Sequence, residues 1–179
     1  MKELKLNVIK GSIAVLLAAT LGMSHGALAN TQLNITGTIK ASPCIVADDN
    51  GSGITVDLGN GSAIQAATLA GQGDKTEWVP FKLTLKDCPT TTTSATATFS
   101  GTPADESADL YKNTGDAKSV QIELADVAET TKLGNGKSLK QTIANNTTTY
   151  DLKARAYTTE GGATPGSIVG TVMVAFTYE

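Results

Sequence analysis

Short runs that alternate apolar and polar residues, separated by clusters rich in glycine and asparagine, recur along almost the whole chain beyond its N-terminal stretch. An apolar residue at every second position lays one apolar row along a β-strand, whereas an amphipathic helix needs a period of about 3.6 residues. ITVDL (residues 54–58) puts Ile54, Val56 and Leu58 on one face, and VPFKLTLK (79–86) does the same with Val79, Phe81, Leu83 and Leu85. ATATF (95–99) alternates small apolar residues with threonine, and VQIEL (120–124) offers Val120, Ile122 and Leu124 to a core. YDLKARAY (150–157) sets Leu152, Ala154 and Ala156 against Asp151, Lys153 and Arg155. The last run, IVGTVMVAFTY (168–178), carries Val172, Val174, Phe176 and Tyr178 on one face. Its other face carries Thr171, Met173, Ala175 and Thr177, a pattern that predicts a strand covered on both sides. The clusters between the runs, such as DDNGSG, GNGS, NTGD and EGGATPG, are turn signals, and residues 62–71 allow at most a short helical turn. The expected architecture is all-β: an antiparallel sandwich around one core.

The N-terminal stretch follows a different rule. Lys2, Lys5 and Lys10 precede an apolar run (12–22), and ALA (27–29) supplies small residues at a cleavage site. Residues 1–29 therefore read as a secretory signal peptide, too short in its apolar part to span a bilayer comfortably. Removing them takes three of the fourteen basic residues and one of the seventeen acidic ones, so the mature chain is more acidic than the net −3 of the whole. No basic stripe remains to neutralise phosphates, which argues against nucleic acid as a partner.

Export also frames the chemistry. The only histidine, His25, lies in the signal peptide, which leaves the mature chain without the residue on which acid–base triads and zinc sites most depend. Cys44 and Cys88 are the only cysteines, and in an exported chain they most simply form one structural disulfide. Closing a loop of about 45 residues contributes on the order of 4 kcal/mol in the chain-entropy picture. Asp48, Asn50, Ser52 and Gly53 match the first half of a calcium loop, but Gly59 stands where a bidentate glutamate is needed. The sequons at Asn34 and around Asn145 are short patterns, and no glycan is expected on a signal of bacterial type. Asp105, Glu106 and Asp109 could serve hydrolysis only if two of them faced each other across a cleft, and nothing in the sequence requires that. Trp78 could stack on a sugar, although packing is the commoner use of such a side chain. No catalytic, cofactor or metal site is expected, and the chain is not expected to be an enzyme.

One stretch does not fit a self-contained sandwich. TQLNITGTI (31–39) opens the mature chain with Leu33, Ile35 and Ile39 on one face and Gly37 in place of a fourth apolar residue. Taken with five further features in order, it resembles the pilus subunits of the chaperone–usher route, and among them the type 1 fimbrial subunits. Those features are Cys44 in KASPCIV, ITVDLG, FKLTLKDCP ending at Cys88, the centre ATFSGT…YKNTGDAKSVQIEL, and the ending TPGSIVGTVMVAFTYE. Tyr178 is penultimate in that ending, and Gly166 is fourteenth from the end.

The resemblance implies an incomplete immunoglobulin-like sandwich that lacks its last strand. It divides the chain into a signal peptide (1–29), an N-terminal donor-strand extension (30–40) and a pilin domain (41–179). Donor residues would be Leu33, Ile35, Gly37 and Ile39; Gly166, Val172, Val174, Phe176 and Tyr178 would wall an acceptor groove. The implied partners are a periplasmic pilus chaperone, an outer-membrane usher and neighbouring pilus subunits, and the implied location is a fimbria on the bacterial surface. Burying Leu33, Ile35 and Ile39 in such a groove would contribute on the order of 5–9 kcal/mol before ordering costs. The absence of a receptor-binding domain ahead of the pilin domain points away from a tip adhesin, and the centre leans slightly toward a minor subunit. The competing reading is a self-complete secreted β-sandwich that binds carbohydrate through Trp78.

Overall fold

Eight strands in two antiparallel sheets make up the computed structural model, which describes residues 33–40, 42–47, 53–128 and 131–179. The signal peptide, Asn30, Thr31 and Gln32 of the donor segment, and Asp48, Asn50 and Ser52 of the calcium-like loop lie outside the described residues. The strands are β1 (Ile45–Val46), β2 (Val79–Lys86), β3 (Ser94–Gly101), β4 (Tyr111–Lys112), β5 (Gln121–Asp126), β6 (Ser138–Thr142), β7 (Thr148–Tyr157) and β8 (Val172–Tyr178). The larger sheet runs β1-β2-β7-β5-β4, and the smaller one β6-β3-β8. Residues 62–71 supply one 3-10 turn, Ala66–Leu69, with Leu69 buried in a satellite core beside Val120 and Ala156.

Period-2 patterning explains which faces meet. Leu83 and Leu85 of β2, Ala95, Ala97 and Phe99 of β3, Leu124 of β5, and Tyr150, Leu152 and Ala154 of β7 form one buried cluster between the sheets. Registers such as Leu83 opposite Tyr150 and Ala97 opposite Phe176 keep those rows aligned. Alanine at three inward positions of β3 and β7 leaves room for the large rings of Tyr150 and Phe99, so small and large side chains interdigitate. The Tyr150 hydroxyl donates to the Ala95 carbonyl at 2.7 Å, a buried bond that ties the two sheets together. The Tyr111 hydroxyl of β4 donates to the Leu133 carbonyl at 2.8 Å, a second buried bond. The disulfide Cys44–Cys88 pins β1 to the end of β2, and Asn146 reinforces it by exchanging hydrogen bonds with Cys88 on both sides.

Three expectations need correction. Residues 54–58 alternate as a strand and direct Val56 and Leu58 onto the core, yet they join no ladder. A strand exists only with a neighbour, and this segment has none among the described residues. The final strand begins at Val172 and not at Ile168, because residues 164–169 hydrogen-bond to the 113–118 turn instead. That strand is also open on its outer face, with Met173 67% exposed, so it is not covered on both sides. A further finding is that Gln121, Glu123 and Lys153 face outward on their strands and are nevertheless buried. Glu123 accepts from Arg155 at 2.7 Å and 2.6 Å on one oxygen and from Lys132 at 3.2 Å on the other. The Arg155 guanidinium in turn lies 3.8 Å from the centre of the Trp78 ring. β6 escaped notice because SLKQT holds a single large apolar residue, Leu139.

Two outcomes follow from this packing. Reduction of Cys44–Cys88 is expected to lower unfolding free energy by about 4 kcal/mol, read from urea midpoints at constant m. Burial pushes the Tyr111 and Tyr150 hydroxyls up to about 12. The unfolded chain then loses these protons first as pH rises above about 10, and it binds fewer protons than the folded state. Stability is therefore expected to be level below that pH and to fall between about 10 and 12, and Tyr150→Phe should shrink the fall.

Candidate functional site

The strand β8 bonds to β3 along one edge and, among the described residues, pairs with no strand on the other. An apolar groove of about 1090 Å³ opens beside it. Its floor is the inner face of the larger sheet, including Phe81, Leu83, Ile122, Leu124, Leu152 and Ala154. Val172, Val174 and Phe176 line it from the smaller sheet, and Val56, Leu58 and Ile64 line it from the segment that precedes the 3-10 turn. These six are only half-buried, although they pack against the core cluster or its satellite. Half-buried valine and phenylalanine beside an unpaired strand edge present both apolar surface and unsatisfied backbone groups.

Of the residues assigned to the groove by sequence, Gly166, Val172, Val174 and Phe176 line it. Tyr178 does not: it stacks on Phe176 with ring centres 6.4 Å apart, beyond the lined portion. Burial raises its hydroxyl pKa, an effect partly offset by a hydrogen bond with the Cys44 backbone. The lining contributed by residues 53–66 and by Phe81 was not assigned from sequence. The alternation in ITVDL was the signal for it, read there as an ordinary strand.

The groove rim is held by short polar devices. Asp57 accepts the Gly61 and Gly59 amides at 2.7 Å and 2.9 Å, and these bonds hold its carboxyl below the usual carboxylate range. The conformation is tight, since a Cβ on Gly59 would stand 2.0 Å from the Ser62 carbonyl oxygen. At the chain end, Glu179 is paired with Lys140 of β6 and accepts from Ser94 of β3, which lowers its carboxyl pKa, chiefly through Lys140. That clamp ties the end of β8 across the whole smaller sheet.

The donor residues Leu33, Ile35 and Ile39 are 78%, 85% and 99% exposed, and a Cβ on Gly37 would meet open space. The other candidates are otherwise engaged. Trp78 is half-buried with Arg155 and, at 4.7 Å, Lys153 against its ring, so the ring serves a cation–π cluster. Asp105 forms an ion pair with Lys112 at 2.8 Å. That contact raises the Lys112 pKa.

A family model described as fimbrial protein matches residues 33–179. Protein FimG of Escherichia coli (strain K12) is 32% identical over 179 residues, with 99% of each chain covered. The antigen and type I fimbria protein BPSL1626 of Burkholderia pseudomallei is 27% identical and has a TM-score of 0.53, over 78% of this chain and 90% of that one. The P pilus rod subunit PapA has a TM-score of 0.62 at 14% identity, over 77% of this chain and 100% of its own, a likeness of immunoglobulin-like fold. With the sandwich, the disulfide and the open groove already in place, this sequence belongs to the fimbrial protein family.

Proposed function

We propose that the groove beside β8 receives the N-terminal segment, residues 30–40, of a neighbouring subunit, so that the chain polymerises by donor-strand exchange. The chain is a structural subunit of a cell-surface fimbria. The observation that carries the exchange mechanism is the pairing of two unmet needs in one molecule. β8 has an unpaired edge above an apolar groove, and residues 33–39 carry alternating apolar side chains that are almost wholly exposed. A strand added at the edge would satisfy backbone groups and bury side chains at alternate positions. Leu33, Ile35 and Ile39 would fill the groove over Val172, Val174 and Phe176, and Gly37 would sit where the wall comes closest.

On this reading a periplasmic chaperone occupies the groove first, because the open groove exposes aggregation-prone surface, and the usher is where the neighbour's segment replaces it. The residues divide into donor and acceptor roles with no catalytic task for any of them.

Deleting residues 31–39 and co-expressing the remainder with a pilus chaperone should leave chaperone binding intact and abolish entry into a neighbour's groove. Fibres that incorporate the truncated subunit normally would refute the donor role. Gly37→Leu should slow exchange by about tenfold or more, since an added side chain must be accommodated in the wall. An unchanged exchange rate would remove the steric role given to Gly37.

A further inference from the structure

Asparagine is among the chemically labile residues, and most so when glycine follows it and leaves the next nitrogen unshielded by a side chain. The chain has three such steps, Asn50–Gly51, Asn60–Gly61 and Asn135–Gly136. The first lies outside the described residues, and the other two are exposed to solvent. In the reaction, hydroxide takes the proton of the glycine amide and the nitrogen attacks the asparagine Cγ. A C–N bond forms, and the side-chain nitrogen leaves as ammonia with a proton from water, which regenerates the hydroxide. Water then opens the resulting succinimide ring at either carbonyl, giving aspartate or isoaspartate. The step therefore turns on the glycine N–H: a proton held by a good acceptor is harder to remove, and a nitrogen fixed in a turn is harder to bring onto Cγ.

Both described steps have that proton engaged, but by different acceptors. The Gly136 amide donates to the carbonyl of buried Phe99 at 2.7 Å, a main-chain bond that belongs to the sandwich, and Asn135 Oδ1 accepts the Gly101 amide at 3.1 Å. The Gly61 amide donates at 2.7 Å to Asp57 Oδ2, while Asp57 Oδ1 takes the Gly59 amide at 2.9 Å. A bond to a carboxylate is stronger than one between neutral groups. Its negative charge also opposes a second negative charge on the Gly61 nitrogen. The same carboxylate closes the turn from 57 to 61, in which the Asn60 amide donates to the Asp57 carbonyl at 3.0 Å and the Ser62 amide to the Gly59 carbonyl at 3.0 Å. Asn60 and Gly61 both stand at positive φ, +50° and +83°.

The place of this turn gives the chemistry a consequence. Asp57, Gly59 and Ser62 line the groove beside β8. Conversion of Asn60 would add a carboxylate to a turn that walls an apolar groove, and the isoaspartyl product would lengthen the main chain there by one carbon. We propose that Asn60–Gly61 is a deamidation site that Asp57 keeps closed by holding the amide on which the reaction turns. The proposal stands whatever fills the groove.

The test incubates the exported chain at mildly alkaline pH and locates aspartate and isoaspartate at Asn60 and Asn135 by tandem mass spectrometry. Asp57→Ala should raise conversion at Asn60 by about tenfold or more, the loss of one charge-assisted bond, and leave Asn135 unchanged. Asn135 is the internal standard, because an unfolded chain converts at both sites. Asp57→Asn, which keeps an acceptor oxygen but not the charge, should give a smaller rise, again at Asn60 alone. An unchanged rate at Asn60 in a folded Asp57→Ala chain overturns the proposal. Where Asp57→Ala unfolds, Asp57→Asn decides, and no rise at Asn60 in that variant overturns it equally. So does an unsubstituted chain that converts at Asn60 as fast as a short peptide of residues 58–63, which lacks Asp57.

Discussion

Backbone amides and carbonyls at the edge of a strand must find partners, and on one side of β8 no strand among the described residues supplies them. One edge is bonded to β3 over seven residue pairs, and the other faces an apolar groove. Water can solvate such an edge, but it cannot favourably wet valine, leucine and phenylalanine at the same place. The rest of the molecule is arranged around holding that awkward edge open and in position. The Tyr150 to Ala95 bond ties the two sheets together, and Cys44–Cys88 holds β1 onto the larger one. The Glu179 clamp fixes the far end of β8, and Asn113 fixes the near end. Collapse would be the ordinary fate of an unfilled apolar cleft, and these ties resist it by anchoring its walls to the well-packed part of the sandwich.

Much of this was legible in the sequence where side-chain periodicity and burial agree. The inward rows of β2, β3, β5 and β7 were read from alternation alone, because each strand has the core on one face. The pattern misled where the backbone had no partner or a competing one. ITVDL has the side chains of a strand, but its ladder neighbour is not supplied by the described residues. Ile168 and Val169 continue the alternation of β8, but the backbone of Val169 is taken by Asn113 and Thr114 of the turn. Polarity misled on the outer face of the larger sheet. Glu123, Lys153 and Arg155 occupy the polar face of their strands, yet they are stacked and paired with Trp78. That cluster joins residues far apart in sequence, and no local signal announces it.

The same cluster bears on rival uses of the molecule. An indole available to a sugar needs an open face, and the ring of Trp78 is committed to Arg155 and Lys153. The guanidinium is committed in turn to Glu123, whose burial is tolerable only because it is paired. The outer face of the larger sheet is thus internally satisfied, and among the sites described the exposed apolar surface lies at the groove and on residues 33–39.

The position of β8 in the chain has a kinetic consequence. Its pairing partner β3 precedes it by most of the domain, with β4 to β7 between them. Contacts so distant in sequence form late, because loop closure must precede any gain from pairing. As the chain emerges N-terminus first from the export machinery, β3 is available long before β8 exists. During that interval the smaller sheet has a second unguarded edge, on β3 itself. A subunit of this design is therefore exposed twice: once at β3 while β8 is still arriving, and again at β8 once folding is complete. Protection during export has to span both moments.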